Sequence, residues 1–188
     1  MDNNEELKSK QRAIELWDED MISTFEVGTF KGLSQIHAYL FQDVFDFAGK
    51  LRTVNLAKGN FRFAPVLFLK SNLELIDGMP DATFEEIVDK YVEMNVAHPF
   101  REGNGRATRL WLDALLKNRL AICIDWSKID KYDYLSAMER SLVNSLEIKT
   151  LLKHAATDDI HNRQVYMRGI QASYLYENMQ AYNIEDLK

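Results

Sequence analysis

Chain-breaking residues are scarce in this sequence, with three prolines and eight glycines in 188 residues. Proline and glycine end helices and open turns, so long stretches of this chain are free to run as helix. Apolar residues recur at helical spacing through most of those stretches. A first helix is predicted over 5–18, with Leu7, Ile14 and Trp17 available for burial. Thr29 is placed to cap a second helix whose Leu33, Ile36, Leu40 and His37 face inward. On such a face His37 reads as a hydrogen-bonded core residue rather than a ligand. Thr83 and Glu86 form a capping box at the start of TFEEIVDKYVEMNVA, which offers Phe84, Ile87, Val88 and Tyr91 as a buried stripe. After Gly105 the helical period resumes with Leu110, Trp111, Ala114 and Leu115, and further helices are predicted at 130–140, 145–154 and 161–179. No repeat or low-complexity linker intervenes. Residues 1–188 therefore read as a single domain, all-α apart from one segment.

That segment is 51–64, LRTVNLAKGNFRFA, where two runs rich in Val, Leu, Phe and Thr flank AKGN. It is predicted as a β-hairpin turning near Lys58-Gly59-Asn60, with Pro65 in the first turn of a helix through Ile76. A lone hairpin is marginal by itself, so it packs on helices or serves as a docking edge.

Bulk composition narrows the partners. The content is 46% hydrophobic and 28% charged, an ordinary globular balance. The formal net charge of −6 argues against broad attraction to nucleic acid or anionic lipid. No apolar run approaches the roughly 18 residues a membrane span needs, and MDNNEELKSKQR lacks the apolar core of a signal peptide. Cys123, the only cysteine, sits in the apolar run LAICI and is expected buried and reduced. The expectation is a cytoplasmic protein with no membrane and no direct nucleic-acid partner.

The chemistry is concentrated in residues 98–109, HPFREGNGRATR. Gly103-Asn104-Gly105 opens a helix, and glycine and asparagine tolerate the left-handed backbone that would turn successive N–H groups into one concavity. Such a nest at a helix N-terminus binds anions. Arg106 and Arg109 lie three apart on the same helix, and two guanidinium forks suit several phosphates better than one carboxylate. Glu102 would repel phosphate unless a bridging Mg²⁺ intervened, and His98 is placed to act as a general base near neutral pH. Together these residues suggest transfer from a polyphosphate, such as a nucleotide, to a hydroxyl. Read singly they have plainer accounts: GNG as a tight turn, the arginines as a solvated face, His98 before Pro99 as a helix C-cap. A metal pair of His98 and Glu102 lacks a third ligand nearby.

The stretch resembles the signature of the Fic family, H-P-F-x-[DE]-G-N-G-R-x-x-R, at every defined position, and the likeness extends upstream through IHAYLFQDVFDFAGKLR and the hairpin. The resemblance implies a helical Fic fold and an adenylyltransferase that moves AMP from ATP to a protein Ser, Thr or Tyr hydroxyl. It implies His98 as the base and Glu102 as the ligand of Mg²⁺ (or Mn²⁺). Gly103, Asn104 and Gly105 would cradle phosphates with Arg106 assisting, and Arg109 would reach the γ-phosphate. Phe100 would anchor the loop in the core. The segment 51–64 resembles the family's flap, an edge that docks a target protein by strand addition. Lys58 near its tip would approach the nucleotide, with an exposed turn lysine as the alternative.

The segment SYLYEN at 173–178 resembles the family's inhibitory motif, [ST]-x-x-x-E-[GN]. The resemblance makes Ser173, Glu177 and Asn178 inhibitory residues, with Glu177 pairing to Arg109 and displacing the γ-phosphate. Tyr174 and Tyr176 become candidates for self-modification once that helix loosens, against a plain reading as packing residues. Glu177 could also align a water for removal of AMP. Two alternatives stay open: transfer of another nucleotide or phosphate-containing group, and a non-catalytic nucleotide sensor. The intact GNGR argues against kinase-like transfer. Apolar helix positions would permit self-association as a homo-oligomer.

Overall fold

The computed structural model describes residues 3–187. Among the described residues, eight α-helices carry the architecture. Helix α1 spans Asn3–Asp18, and α2 spans Phe30–Phe41 behind the cap at Thr29, whose hydroxyl accepts from Gly32 N. The short antiparallel strands β1 (Ala57–Lys58) and β2 (Phe61–Arg62) follow, paired Ala57 to Arg62 and Lys58 to Phe61. Then come α3 (Val66–Asp77), α4 (Phe84–Ala97) and α5 (Asn104–Leu120). Strand β3 (Cys123–Ile124), α6 (Lys131–Arg140), α7 (Leu146–Ala155), β4 (Ala156–Thr157) and α8 (Arg163–Tyr176) complete the order.

Helix α5 is the axis, packing against α2, α4 and α8. It serves two cores at once. Ala107, Leu110 and Trp111 join Leu33, Ile36, Leu40, Phe41 and Phe100 on one side, whereas Leu112, Leu115 and Leu116 join Ile87, Val88, Tyr91 and Leu152 on the other. Helix α8 likewise gives Ile170 and Tyr174 to the first core and Tyr176 to the second. These two helices meet where Arg109, in the second turn of α5, faces Ser173, in the last turn of α8.

The helical reading and the single flap-like hairpin both hold, with differences that have physical causes. The ladder covers only two residues per strand, because the legs of 51–64 spend their hydrogen bonds on neighbouring segments, as in Arg52 N to Pro99 O and Ala64 N to Val96 O. Pro65 is the N-cap of α3 and not its first residue. Cys123 is buried and free, and only the last two residues of its apolar run form a strand, paired Cys123 to Thr157 and Ile124 to Ala156. Leu7, Trp17, Phe84 and Ala114 are half-buried, whereas α1 buries Ile14 as expected and adds Ala13 and Leu16. Helix α8 ends at Tyr176, short of the predicted 179, because Asn178 turns left-handed at φ 61°.

The least foreseeable feature of the interior is charged. Lys10 is fully buried and donates to Glu6 Oε1 at 2.7 Å, to the Tyr182 carbonyl at 2.5 Å and to Gln171 Oε1 at 3.3 Å. The Glu6 carboxylate in turn accepts from the N–H groups of Ala181 and Tyr182, both at 3.1 Å. Helix α1 therefore grips the chain four and five residues beyond Glu177. Burial pushes the Glu6 carboxyl up, yet the bonds from Lys10, Tyr182 and Ala181 outweigh it and hold the group below its ordinary 4.5. A carboxylate depressed in the folded state stabilises above its unfolded pKa, and that stability is lost as pH falls through the folded value. Breaking one partner of a buried pair costs about 3–5 kcal/mol. Lys10→Met is expected to lower unfolding free energy by about that amount at pH 7. Glu6→Gln should flatten the loss of stability below pH 4.5 relative to wild type, measured by urea unfolding across pH.

Candidate functional site

The loop between α4 and α5 is held shut by its own side chains. Helix α4 ends at Ala97, and His98 caps it in the left-handed region (φ 48°, ψ 62°) with its N–H on the Met94 carbonyl. The plain C-cap account of His98 thus describes its backbone, while its ring stacks on Phe63. Phe100 is fully buried and stacks on His37, with ring centroids 3.8 Å apart. Asn104 closes the loop by accepting from Phe100 N at 2.9 Å and donating to Phe100 O at 2.7 Å. His37 accepts from Gly49 N through Nδ1, which leaves the proton on Nε2 to donate to the Glu102 carbonyl at 2.8 Å. Burial lowers its pKa to about 4, so this ring is a neutral prop. The core reading of His37 holds.

The three residues of GNG differ in role. Gly103 alone is left-handed (φ 81°), and a Cβ there would sit 2.6 Å from Phe41 Cε2. Asn104 and Gly105 are already helical. Gly105 is needed for room and not for backbone freedom, because a side chain would collide with Glu177 Oε1 and the Arg109 guanidinium. Asn104 spends its side chain on loop closure, so any phosphate contact it makes is through its backbone N–H. The first-turn N–H groups of α5 have no intrahelical acceptor and mark the positive end of its dipole.

Both arginines are buried, not solvated. Arg106 lies over the Phe41 and Tyr174 rings at 4.8 and 5.4 Å. Its Nη2 is 2.8 Å from Glu5 Oε1 and 3.4 Å from Glu102 Oε1, while Nε and Nη1 have no hydrogen-bond partner among the described residues. Arg109 donates Nε to Ser173 Oγ at 2.7 Å, and Nη2 to the Ser173 carbonyl at 2.9 Å and to Glu177 Oε1 at 2.8 Å. Tyr134 and Tyr176 flank it at 5.4 and 5.3 Å. Burial pushes the Glu177 carboxyl up, but Arg109 outweighs it and holds the group below its ordinary value.

The structure brings Arg109, Ser173 and Glu177 together. The Asn178 side chain accepts from Lys131 Nζ, and its left-handed backbone ends the helix. Glu102 stands at the rim with its side chain 61% exposed. Among the described residues no cluster of three His, Cys, Asp or Glu forms a metal cage. Glu102 fits a cation that takes one protein carboxylate and completes its sphere with phosphate and water, the habit of Mg²⁺. Lys58 is exposed on β1, and its charge reaches both His98 and Glu177. Tyr174 and Tyr176 are 1% and 2% exposed, and the Tyr176 hydroxyl lies 2.8 Å from the Trp126 and Ile129 carbonyls. Both side chains are packed in this conformation, so self-modification would need α8 to loosen first.

Sequence reading missed Arg52, Glu5 and Tyr134. An arginine in an extended apolar stretch, LRTVNL, was the available signal for Arg52; Glu5 and Tyr134 meet the arginines only through the fold.

The His98 imidazole stacks on Phe63, with centroids 3.7 Å apart. Burial is the main reason its pKa falls to about 4, and the Arg52 cation adds to it. This departs from a base titrating near neutral pH: the ring is fully neutral at pH 7 and can accept a proton at once. Arg52, Lys58 and Glu177 are the charged groups that act on it. In an NMR titration of the folded protein, the His98 ring should stay neutral down to about pH 4; protonation near 6.5 would show a solvated ring.

The Fic/DOC family profile matches residues 29–116. The protein adenylyltransferase VbhT of Bartonella schoenbuchensis is 30% identical over 166 residues, 82% of this chain and 34% of that protein. The chain thus spans about a third of that relative's length. The probable protein adenylyltransferase Fic of Escherichia coli strain K12 is 31% identical over 139 residues, 66% of this chain and 69% of that protein. Among solved structures, the BepC protein of Bartonella tribocorum with bound AMPPNP matches with a TM-score of 0.64 at 22% identity, covering 83% of this chain and 88% of that one. At that identity the likeness is one of fold.

Proposed function

This chain belongs to the Fic/DOC family, and from that premise we propose that it is an adenylyltransferase restrained by its own C-terminal helix. It moves AMP from ATP to a Ser, Thr or Tyr hydroxyl of a target protein docked at the β1–β2 hairpin. The observation that carries this reading is Arg106. A buried guanidinium with unpartnered Nε and Nη1 at a helix N-terminus asks for an anion, because buried polar groups left unpaired are costly. The names of the two curated relatives support AMP as the group moved.

In this account the neutral His98 ring takes the proton of the incoming hydroxyl as that oxygen attacks the α-phosphorus. The bond from that phosphorus to the bridging oxygen breaks, and pyrophosphate leaves. The N–H groups at the start of α5 and Arg106 hold phosphate oxygens, and Arg109 holds the γ-phosphate. Glu102 would hold Mg²⁺, which when bound neutralises phosphate charge. Phe63 and the hairpin keep the base facing the docked hydroxyl. Glu177 and the Ser173 carbonyl occupy Arg109 Nη2, so ATP can place its γ-phosphate there only by displacing the carboxylate.

Two comparisons test this. Protein in a lysate should take up label from α-labelled ATP and none from γ-labelled ATP. Label from the γ position would mean phosphoryl transfer, and no label from either, even with Glu177→Gly, would mean a nucleotide sensor. Glu177→Gly should raise AMP transfer at least about tenfold if the closed state leads by roughly 1.4 kcal/mol. Arg109→Ala should not, since it loses the inhibitory and the γ-phosphate contacts together. A Glu177→Gly protein no more active than wild type would make α8 structural only.

A further inference from the structure

Arg52 is 4% exposed, and the hydrogen bonds of its side chain all go to backbone carbonyls. Nε donates to the His98 carbonyl at 2.7 Å, Nη1 to Val54 O at 2.8 Å, and Nη2 to Ala64 O at 2.5 Å and Ala97 O at 3.1 Å. Its own N–H donates to the Pro99 carbonyl at 2.9 Å. Among the described residues no carboxylate pairs with it, and burial alone lowers its pKa.

Two features compensate the buried cation. Ala97 and His98 end α4, which has no basic residue in its last turn, and the terminal carbonyls of a helix carry its negative pole. Arg52 reaches that pole from another part of the chain. The other two acceptors belong to the two legs of the β1–β2 hairpin: Val54 three residues before β1, Ala64 two after β2. One rigid planar fork thus binds both legs of the hairpin to the backbone of the candidate base. A lysine could not do this, since it offers a single point and no fixed plane.

The arrangement matters because His98 is left-handed at φ 48°, a region that costs a non-glycine residue energy and must be held by its surroundings. The ring of His98 stacks on Phe63, the residue before Ala64. Fixing Ala64 to Ala97 and His98 therefore fixes the stacking partner to the ring as well as leg to backbone.

We infer that Arg52 is a positioning residue that sets the register between the hairpin, where a target segment docks, and the His98 imidazole. The inference rests on the reading of His98 as base. Arg52 touches no reacting atom; it acts through the His98 and Ala64 carbonyls. Misplacement of a reacting group by about 1 Å can cost on the order of 10²-fold in rate.

The test compares Arg52→Lys with its parent, both in the Glu177→Gly background, with no ligand in the first measurement. The stacked Phe63 ring shifts the His98 Hε1 and Hδ2 resonances upfield. Arg52→Lys should lose that displacement while amide resonances outside 51–64 and 97–100 stay in place. With ATP alone as probe, the dissociation constant should stay within about twofold, because Arg52 is remote from the α5 nest in its bonding. Incorporation of α-label into lysate protein at saturating ATP should fall about 10–100-fold. Unchanged His98 resonances with unchanged incorporation would overturn the inference, as would a fall in incorporation matched by weaker ATP binding. If the parent incorporates no label, the transferase reading fails and the ring shift alone decides the role of Arg52. A measurement on the unsubstituted protein covers a variant that does not fold. The Arg52 Nε–H, donated to His98, should persist in D₂O far longer than the Nε–H of exposed arginines, and rapid exchange would overturn the clamp.

Discussion

A guanidinium cannot be buried without partners, and Arg109 is buried where α5 crosses α8. Much of the molecule follows from meeting that demand. Ser173 supplies a hydroxyl and a carbonyl, Glu177 a carboxylate, and Tyr134 and Tyr176 two ring faces. Gly105 gives up its side chain so that the carboxylate can lie across the start of α5. The same contacts join the two cores, because α5 and α8 each contribute to both. The chain beyond Glu177 is then gripped under α1 by Glu6 and Lys10.

The two arginines of the loop are satisfied unequally. Arg109 has a full set of protein partners, whereas Arg106 keeps Nε and Nη1 unpaired and leans on Glu5, Phe41 and Tyr174. One position is prepared for an anion and the other is occupied by an internal one. On the proposed reading, a site so divided would bind part of a polyphosphate readily and its far end only after a rearrangement. That division ties the loop to α8 through the Arg109 contacts with Ser173 and Glu177.

Much of this was legible in local sequence because it is local. The Thr29 cap, the Thr83–Glu86 capping box and the inward face of His37 each depend on residues three or four apart. What was not legible depends on contacts across the chain. The burial of Lys10 has no local signal, because two of its partners, Gln171 and Tyr182, lie 161 and 172 residues away. Arg52 looked like a hairpin residue until its acceptors at 97 and 98 were known. The β3–β4 ladder went unforeseen because only two residues per strand carry it and its strands lie far apart in the chain. His98 titrates low because Phe63 and burial desolvate it, which no spacing rule registers. Within the SYLYEN motif, Asn178 ends α8 and the two tyrosines pack it, roles that a motif match does not register.

The account turns on one competition, between the Glu177 carboxylate and a γ-phosphate for Arg109 Nη2. Calorimetric affinities of ATP and ADP for wild type and Glu177→Gly measure it directly, since ADP has no γ-phosphate to compete. The account predicts that Glu177→Gly tightens ATP binding by about tenfold or more and leaves ADP binding within about twofold. Equal tightening of both nucleotides, or of neither, would contradict it.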